Sequence, residues 1–155
     1  MAGATLYIDV DREAVTASIQ RALQALDDDG TAELLEDIGE FLLASIRRRA
    51  AAQFSPDGAP WTPLTPRYAK LKATKRPGVP LLKFDNHMLG DGLSHQIDGN
   101  ALLVGTSVVY GATHQFGRDQ IPARPWLGLD DDDVTAVQRL MRRHLAAAFG
   151  TAAGD

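Results

Sequence analysis

Hydrophobic positions recur with two different periods along this chain. Leu6, Ile8 and Val10 alternate with Tyr7 and Asp9, which predicts a strand with one buried face. The period then lengthens. Val15, Ile19, Ala22, Leu23 and Leu26 fall at helical spacing and predict an amphipathic helix from about Arg12 to Leu26. Asp27-Asp28-Asp29-Gly30 is expected to break it, because three acids oppose the negative end of a helix and glycine supplies a turn. A second helix is predicted from about Ala32 to Gln53, with Leu34, Leu35, Ile38, Phe41, Leu42 and Ile46 as its apolar stripe. Glu33, Glu36 and Asp37 lie near its start and Arg47, Arg48 and Arg49 near its end, a polarity that complements the helix dipole. The arginine triplet reads as a solvated helix end in preference to a phosphate patch. Gly39, inside this helix, costs about 1 kcal/mol relative to alanine. It is read as a mark of close packing against a neighbour.

From Ser55 to Pro80 neither period holds. Six of the eight prolines of the chain are here: Pro56, Pro60, Pro63, Pro66, Pro77 and Pro80. That density forbids a central strand or a long helix. A short helix from about Arg67 to Lys72 can begin at Pro66 with Thr65 as its cap. Asp85-Asn86 is expected to cap another short helix through Met88 and Leu89. Leu93, His95 and Ile97 then alternate with Ser94, Gln96 and Asp98; Asp98-Gly99-Asn100 turns, and Leu102 to Thr106 returns, which predicts a hairpin. Tyr110 to Phe116 reads as a helix stopped by Gly117, and Ile121 to Leu129 as extended chain. Asp130 to Asp133 open a last helix with Val134, Val137, Leu140, Met141, Leu145 and Phe149 on one face. The expected fold is α+β. A small antiparallel sheet packs with two long N-terminal helices and a C-terminal helix, and 55–80 forms a long proline-rich arm or loop. Residues 1–150 make one domain and 151–155 a frayed tail.

Composition narrows the classes of function. At 155 residues and 45% hydrophobic, the chain has material for a real core, so wholesale disorder is excluded. The absence of cysteine excludes disulfides, thiolate metal sites and thiol catalysis. A net charge of −4 argues against holding nucleic acid by charge, and no specific nucleic-acid partner is expected. No apolar run approaches the roughly 20 residues of a membrane helix. Met1 to Thr5 lack the basic and apolar regions of a secretory signal, so a soluble intracellular protein with no membrane partner is expected.

Candidate chemistry is sparse. The four histidines, His87, His95, His114 and His144, show no His-x-x-x-His or Glu-x-x-His spacing, so no metal or other cofactor is expected. Asp130 to Asp133 lack the alternating ligands and central glycine of a calcium loop and are assigned to helix capping. There is no nucleophile elbow, Walker loop or dinucleotide-binding glycine motif. A hydrolase built from scattered His and Asp is a further alternative, and stoichiometric metal in the purified protein would be its mark.

Two segments stand out instead. One is Ser55-Pro56-Asp57-Gly58-Ala59-Pro60-Trp61-Thr62-Pro63-Leu64. The other runs from Tyr110-Gly111-Ala112-Thr113-His114-Gln115-Phe116-Gly117 to Ile121-Pro122-Ala123-Arg124-Pro125-Trp126-Leu127-Gly128-Leu129. Prolines restrict the unfolded chain, and Trp, Tyr, Phe and Arg are the types that anchor interfaces. Two readings stand side by side: interface anchors, or loops folded on the core with Trp61 and Trp126 buried.

The second segment resembles the phage virion morphogenesis family, whose pattern is Tyr-Ala-x-x-His-Gln-Phe-Gly, a spacer, then Ile-Pro-Ala-Arg-Pro-Phe-Leu-Gly-Leu and an acidic-start helix. Here Tyr110, His114 to Gly117 and Ile121 to Leu129 carry it, with Trp126 at the aromatic position. Pro56 to Leu64 resembles the family's Pro-Asp-Gly-x-Pro-Trp-x-Pro-Leu, in the same order. Asn86 and His87 stand where the family usually has Thr-Gly, and the spacer Arg118-Asp119-Gln120 is short.

The resemblance implies a structural, non-enzymatic protein of tail completion and head–tail joining. Its partners would be phage tail and head–tail connector proteins and sister subunits in a ring. It would be found in the bacterial host cytoplasm during assembly and then in the virion tail. On this basis 55–80 and 117–129 are expected to make the inter-subunit and head-or-tail contacts. Trp61, Leu64, Tyr68, His114, Gln115, Phe116, Arg124 and Trp126 are the candidate interface residues. The alternative is a generic interaction or regulatory module of a mobile element.

Overall fold

A computed structural model describes Ala17, Arg21 and residues 24–152 except Phe84. The strand expected at Leu6 to Val10 lies outside the described residues. So does most of the helix expected over 12–26, of which Ala17, Arg21, Gln24 and Ala25 are described and helical. The elements that follow are helix α1 (Asp28–Ala52), helix α2 (Pro66–Lys75), strands β1 (Leu93–Asp98) and β2 (Ala101–Thr106), helix α3 (Tyr110–Phe116) and helix α4 (Asp131–Ala152). The fold is α+β, with one antiparallel two-stranded sheet among the described residues.

Helix α1 begins earlier than its hydrophobic stripe indicates. Asp27 to Gly30 do not form a breaker. The Asp27 carboxylate accepts from the Gly30 N–H at 2.8 Å, and Asp28 and Asp29 occupy the first turn, where acids are favoured. The helix ends on Gln53, in the left-handed conformation at φ 62°, whose N–H returns to the carbonyl of Ala50. Its buried side divides between two partners. Leu34, Ile38 and Leu42 pack with Val137 and Met141 of α4. Leu43, Ile46 and Ala50 pack with Trp61, Met88, Leu89, Leu93, Trp126 and Leu127. Phe149 was expected on the buried face of α4 but is 63% exposed, one turn past Leu145, which packs against the cluster shared with α1.

The hairpin pairs Leu93 with Thr106 through Asp98 with Ala101, leaving a two-residue turn with Gly99 at φ 57°. It lies on α1, and Gly39 marks the contact. A Cβ at Gly39 would stand 2.5 Å from Cδ2 of His95, so only glycine admits the imidazole there.

Within 55–80, residues 54–60 close a turn. Phe54 bridges Pro60, the Gly58 N–H donates to the Ser55 carbonyl, and the Asp57 side chain accepts from the Ala59 N–H. Thr65 caps α2 as expected, but the helix runs on to Lys75 and does not stop at Lys72. The short helix expected after Asp85-Asn86 is instead a series of turns. Asn86 takes φ 57°, which a helix start forbids, and its carbonyl accepts from the Gly90 N–H at 2.9 Å.

Candidate functional site

The two proline-aromatic segments, 46 residues apart from Leu64 to Tyr110 in sequence, fold together. The lock begins inside the second segment. Gln115, on α3, points its amide at the returning chain. Its Oε1 accepts from the N–H groups of Trp126 and Leu127 at 2.9 and 3.0 Å, and its Nε2 donates to the Leu127 carbonyl at 2.9 Å. One side chain thus does for this extended stretch what a neighbouring strand would do. The Arg124 N–H donates to the His114 carbonyl at 2.7 Å, and the Trp126 indole N–H donates to the Gly111 carbonyl at 3.0 Å.

Three further bonds join the segments. The Trp61 indole N–H reaches the Pro125 carbonyl at 2.7 Å. Arg124 donates from Nε to the Thr62 carbonyl at 2.6 Å and from Nη2 to the Pro63 carbonyl at 3.1 Å. Gly128, at φ 154°, lies under Pro56, whose ring would stand 2.7 Å from any Cβ built there. Trp61, Arg124 and Trp126 are all buried within the chain. Among the aromatic and large apolar side chains nearby, Phe116 is 64% exposed, and Tyr68, Tyr110 and Ile121 are just under half exposed.

A buried polar cluster fixes this unit to α1 and α4. The sequence places Arg49 at a solvated helix end, and the structure corrects that: Arg49 is buried while Arg47 and Arg48 are exposed. Its Nη1 donates to Asp133 at 2.5 Å and to Asp130 at 2.9 Å, and its Nη2 donates to the Gly128 carbonyl at 2.6 Å. Asp130 and Asp133 cap each other's N–H groups at 2.7 and 3.1 Å, and Ser45 donates to Asp133. Burial raises the Asp130 pKa. The Asp133 N–H and the Arg49 and Arg48 charges outweigh that and hold it below the ordinary carboxylate range.

Between α2 and the α3 loop lies a cavity of about 570 Å³. Of the candidate residues, Leu64, Tyr68, His114 and Arg124 line it; Trp61, Gln115, Phe116 and Trp126 do not. Lys72 also lines it and was not foreseen, although it lies four residues after Tyr68 and so shares that face of α2. Burial lowers the pKa of His114, and the Arg124 charge lowers it further. Among the described residues His114 Nδ1 has no hydrogen-bond partner.

Elsewhere the structure gathers groups that the sequence spacing left apart. His95 lies between Glu36, 3.1 Å from Nε2, and Glu40, 3.9 Å from Nδ1. His144 and Arg143 both meet Asp37, at 2.8 and 2.6 Å, which keeps the Asp37 pKa low.

The profile of the phage virion morphogenesis family matches residues 10–146, a span that includes both segments and their scaffold. The chain belongs to this family. It is similar to Mu-like prophage FluMu G protein 1 of Haemophilus influenzae, at 32% identity over 110 residues covering 67% of this chain and 75% of that protein. It is also similar to tail completion protein S of Escherichia phage P2, at 25% identity over 134 residues, with 79% and 89% covered. FluMu G protein 2 of H. influenzae is 35% identical over 79 residues, with 46% and 54% covered. No solved structure matches. As a virion morphogenesis protein the chain carries the family segments as one braced unit. No helix among the described residues is long and apolar enough to cross a membrane.

Proposed function

We propose that this protein completes the phage tail and supports its joining to the head as a structural, non-catalytic component that docks on other virion proteins and on sister subunits. The interlocking of the two segments carries this reading. Trp61, Gln115, Arg124 and Trp126 spend their hydrogen bonds inside the chain, on backbone groups of these same loops. Loops held this way lose little conformational freedom on docking, which favours association. In this reading Trp61, Gln115 and Trp126 act at the interface through the rigid shape they impose, and Arg124 both braces the loops and lines the cavity. Tyr68 and Phe116 offer the contact surface, and Leu64 and His114 line the cavity beside it. Aromatic groups of this kind supply much of the energy of protein interfaces.

Closed head-to-tail contacts between copies would give a ring at the end of the tail. The protein would act in the host cytoplasm during assembly and remain in the virion. The name of the phage P2 relative supports tail completion, and the extent of the family match, 10–146, supports carrying it to this chain. Removing the gene from an inducible phage that carries it tests the reading. Heads and tails are expected to accumulate unjoined, with rescue by the gene supplied in trans. Normal yields of joined virions without the gene would overturn it.

A further inference from the structure

The cavity between α2 and the α3 loop has a chemistry that bracing the fold does not require. Leu64, Tyr68, Leu81 and Ile121 give it an apolar wall, and Lys72 and Arg124 give it two cations. Both cations are buried, at 7% and 4% exposure. Each donates only to neutral backbone carbonyls: Lys72 to Pro80 at 2.5 Å, and Arg124 to Thr62 and Pro63. Among the described residues neither is paired with a carboxylate. Asp85 also lines the cavity, and its carboxylate is committed to Arg76 at 3.0 Å. Buried charge is costly unless an opposite charge meets it. Burial lowers the pKa of Lys72, and the nearby Arg124 charge lowers it further. An incoming anion would relieve both effects.

The apolar wall continues outward onto exposed Tyr68, Tyr110 and Ile121. A ligand that covers this surface must extend beyond the cavity, as a polypeptide segment does and a small free anion does not. A volume of about 570 Å³ lies in the range of ligand sites and accommodates a side chain or two.

We propose that this cavity receives an acidic side chain from an extended segment of a partner protein, its carboxylate meeting Lys72 and Arg124 and its apolar neighbours lying on Tyr68 and Ile121. The inference deepens the docking role proposed above and rests on it.

Titration of the isotope-labelled full-length protein with two capped tripeptides, acetyl-Leu-Glu-Leu-amide and acetyl-Leu-Gln-Leu-amide, tests it. The glutamate peptide should shift the Ile121 methyl and His114 ring signals saturably and bind about tenfold more tightly than the glutamine peptide, the margin of one charge-assisted hydrogen bond. Lys72→Met, which keeps most of the aliphatic stem, should reduce that preference with folding intact, Arg124 remaining, whereas Lys72→Arg should retain it in full. Equal binding of the two peptides, absence of saturable shifts, or stronger effects from inorganic phosphate or a single-stranded oligonucleotide would overturn the proposal. Such a failure alongside unjoined tails in the gene deletion would remove the pocket assignment and leave the docking function. Normal joining in the deletion would remove the function whatever the peptides do.

Discussion

Arg49 and Asp133, 84 residues apart in sequence, meet at 2.5 Å in the interior of the protein. The Asp133 side chain is fully buried. This pair ties the end of α1 to the start of α4, and the second guanidinium nitrogen holds the Gly128 carbonyl at the end of the second proline-aromatic segment. One arginine therefore links the helical scaffold to the loop unit. Replacing Arg49 by Met leaves the Asp133 carboxylate buried without its cation, and is expected to cost about 3–5 kcal/mol. Urea denaturation measures this as a lowered midpoint. Arg49→Met combined with Asp133→Asn should recover part of the loss, because the stranded charge is then gone.

Gln115 makes three hydrogen bonds to the backbone of Trp126 and Leu127. Gln115→Leu keeps the approximate volume and strands those groups, at about 1–3 kcal/mol for each one left buried and unpaired. The expected result is a destabilised protein in which the Trp126 and Leu127 amides exchange hydrogen far faster than those of α1. Uniform exchange across the two regions would show that the amide does not brace the loop.

Gly39→Ala opposes two effects of known sign. Alanine gains about 1 kcal/mol of helix propensity over glycine. Its Cβ, however, would stand 2.5 Å from the His95 ring. Overpacking of this kind costs about 1–3 kcal/mol, so the single variant is expected to lose stability. In a His95→Ala background the clash is absent, and Gly39→Ala should then stabilise. Thermal melts of the four proteins in this cycle give the answer.

His114 makes stability depend on pH. Its folded pKa lies below 6.5 because burial and the Arg124 charge disfavour the imidazolium. The unfolded chain therefore binds the proton more readily. The contribution is fully present above pH 6.5 and is lost as pH falls from there through the lower folded value. His114→Gln removes this dependence, so its melting temperature should fall less than the parent's between about pH 7 and about pH 5. Parallel curves would show that His114 does not titrate in this way.

Local signals made part of this architecture legible in the sequence. Thr65-Pro66 announced the start of α2, Gly117 the end of α3, and Asp98-Gly99-Asn100 the hairpin, because each depends on backbone geometry within a few residues. Gly39 also signalled the close contact it makes. Partners distant in sequence were not legible. Arg49 resembled its exposed neighbours Arg47 and Arg48, and only the approach of Asp130 and Asp133 sets it apart. Asp28 and Asp29 looked like a helix breaker because Asp27 serves the helix that follows and not the one before. The two segments were identifiable as unusual, but the bonds from Arg124 to Thr62 and Pro63, and from Trp61 to Pro125, cross more than sixty residues. No periodicity reports such contacts. Nothing local to Trp61 or Trp126 therefore announced that their two indoles share one core.

The docking proposed for the braced loops depends on the side chains they leave exposed. Tyr68→Ser combined with Phe116→Ser alters two exposed side chains that lie outside the buried core. Supplied in trans to the gene-deleted phage, this variant should melt like the parent while heads and tails remain separate under the electron microscope. Joined virions at the parental frequency from a correctly folded double variant would show that these side chains are not a docking face.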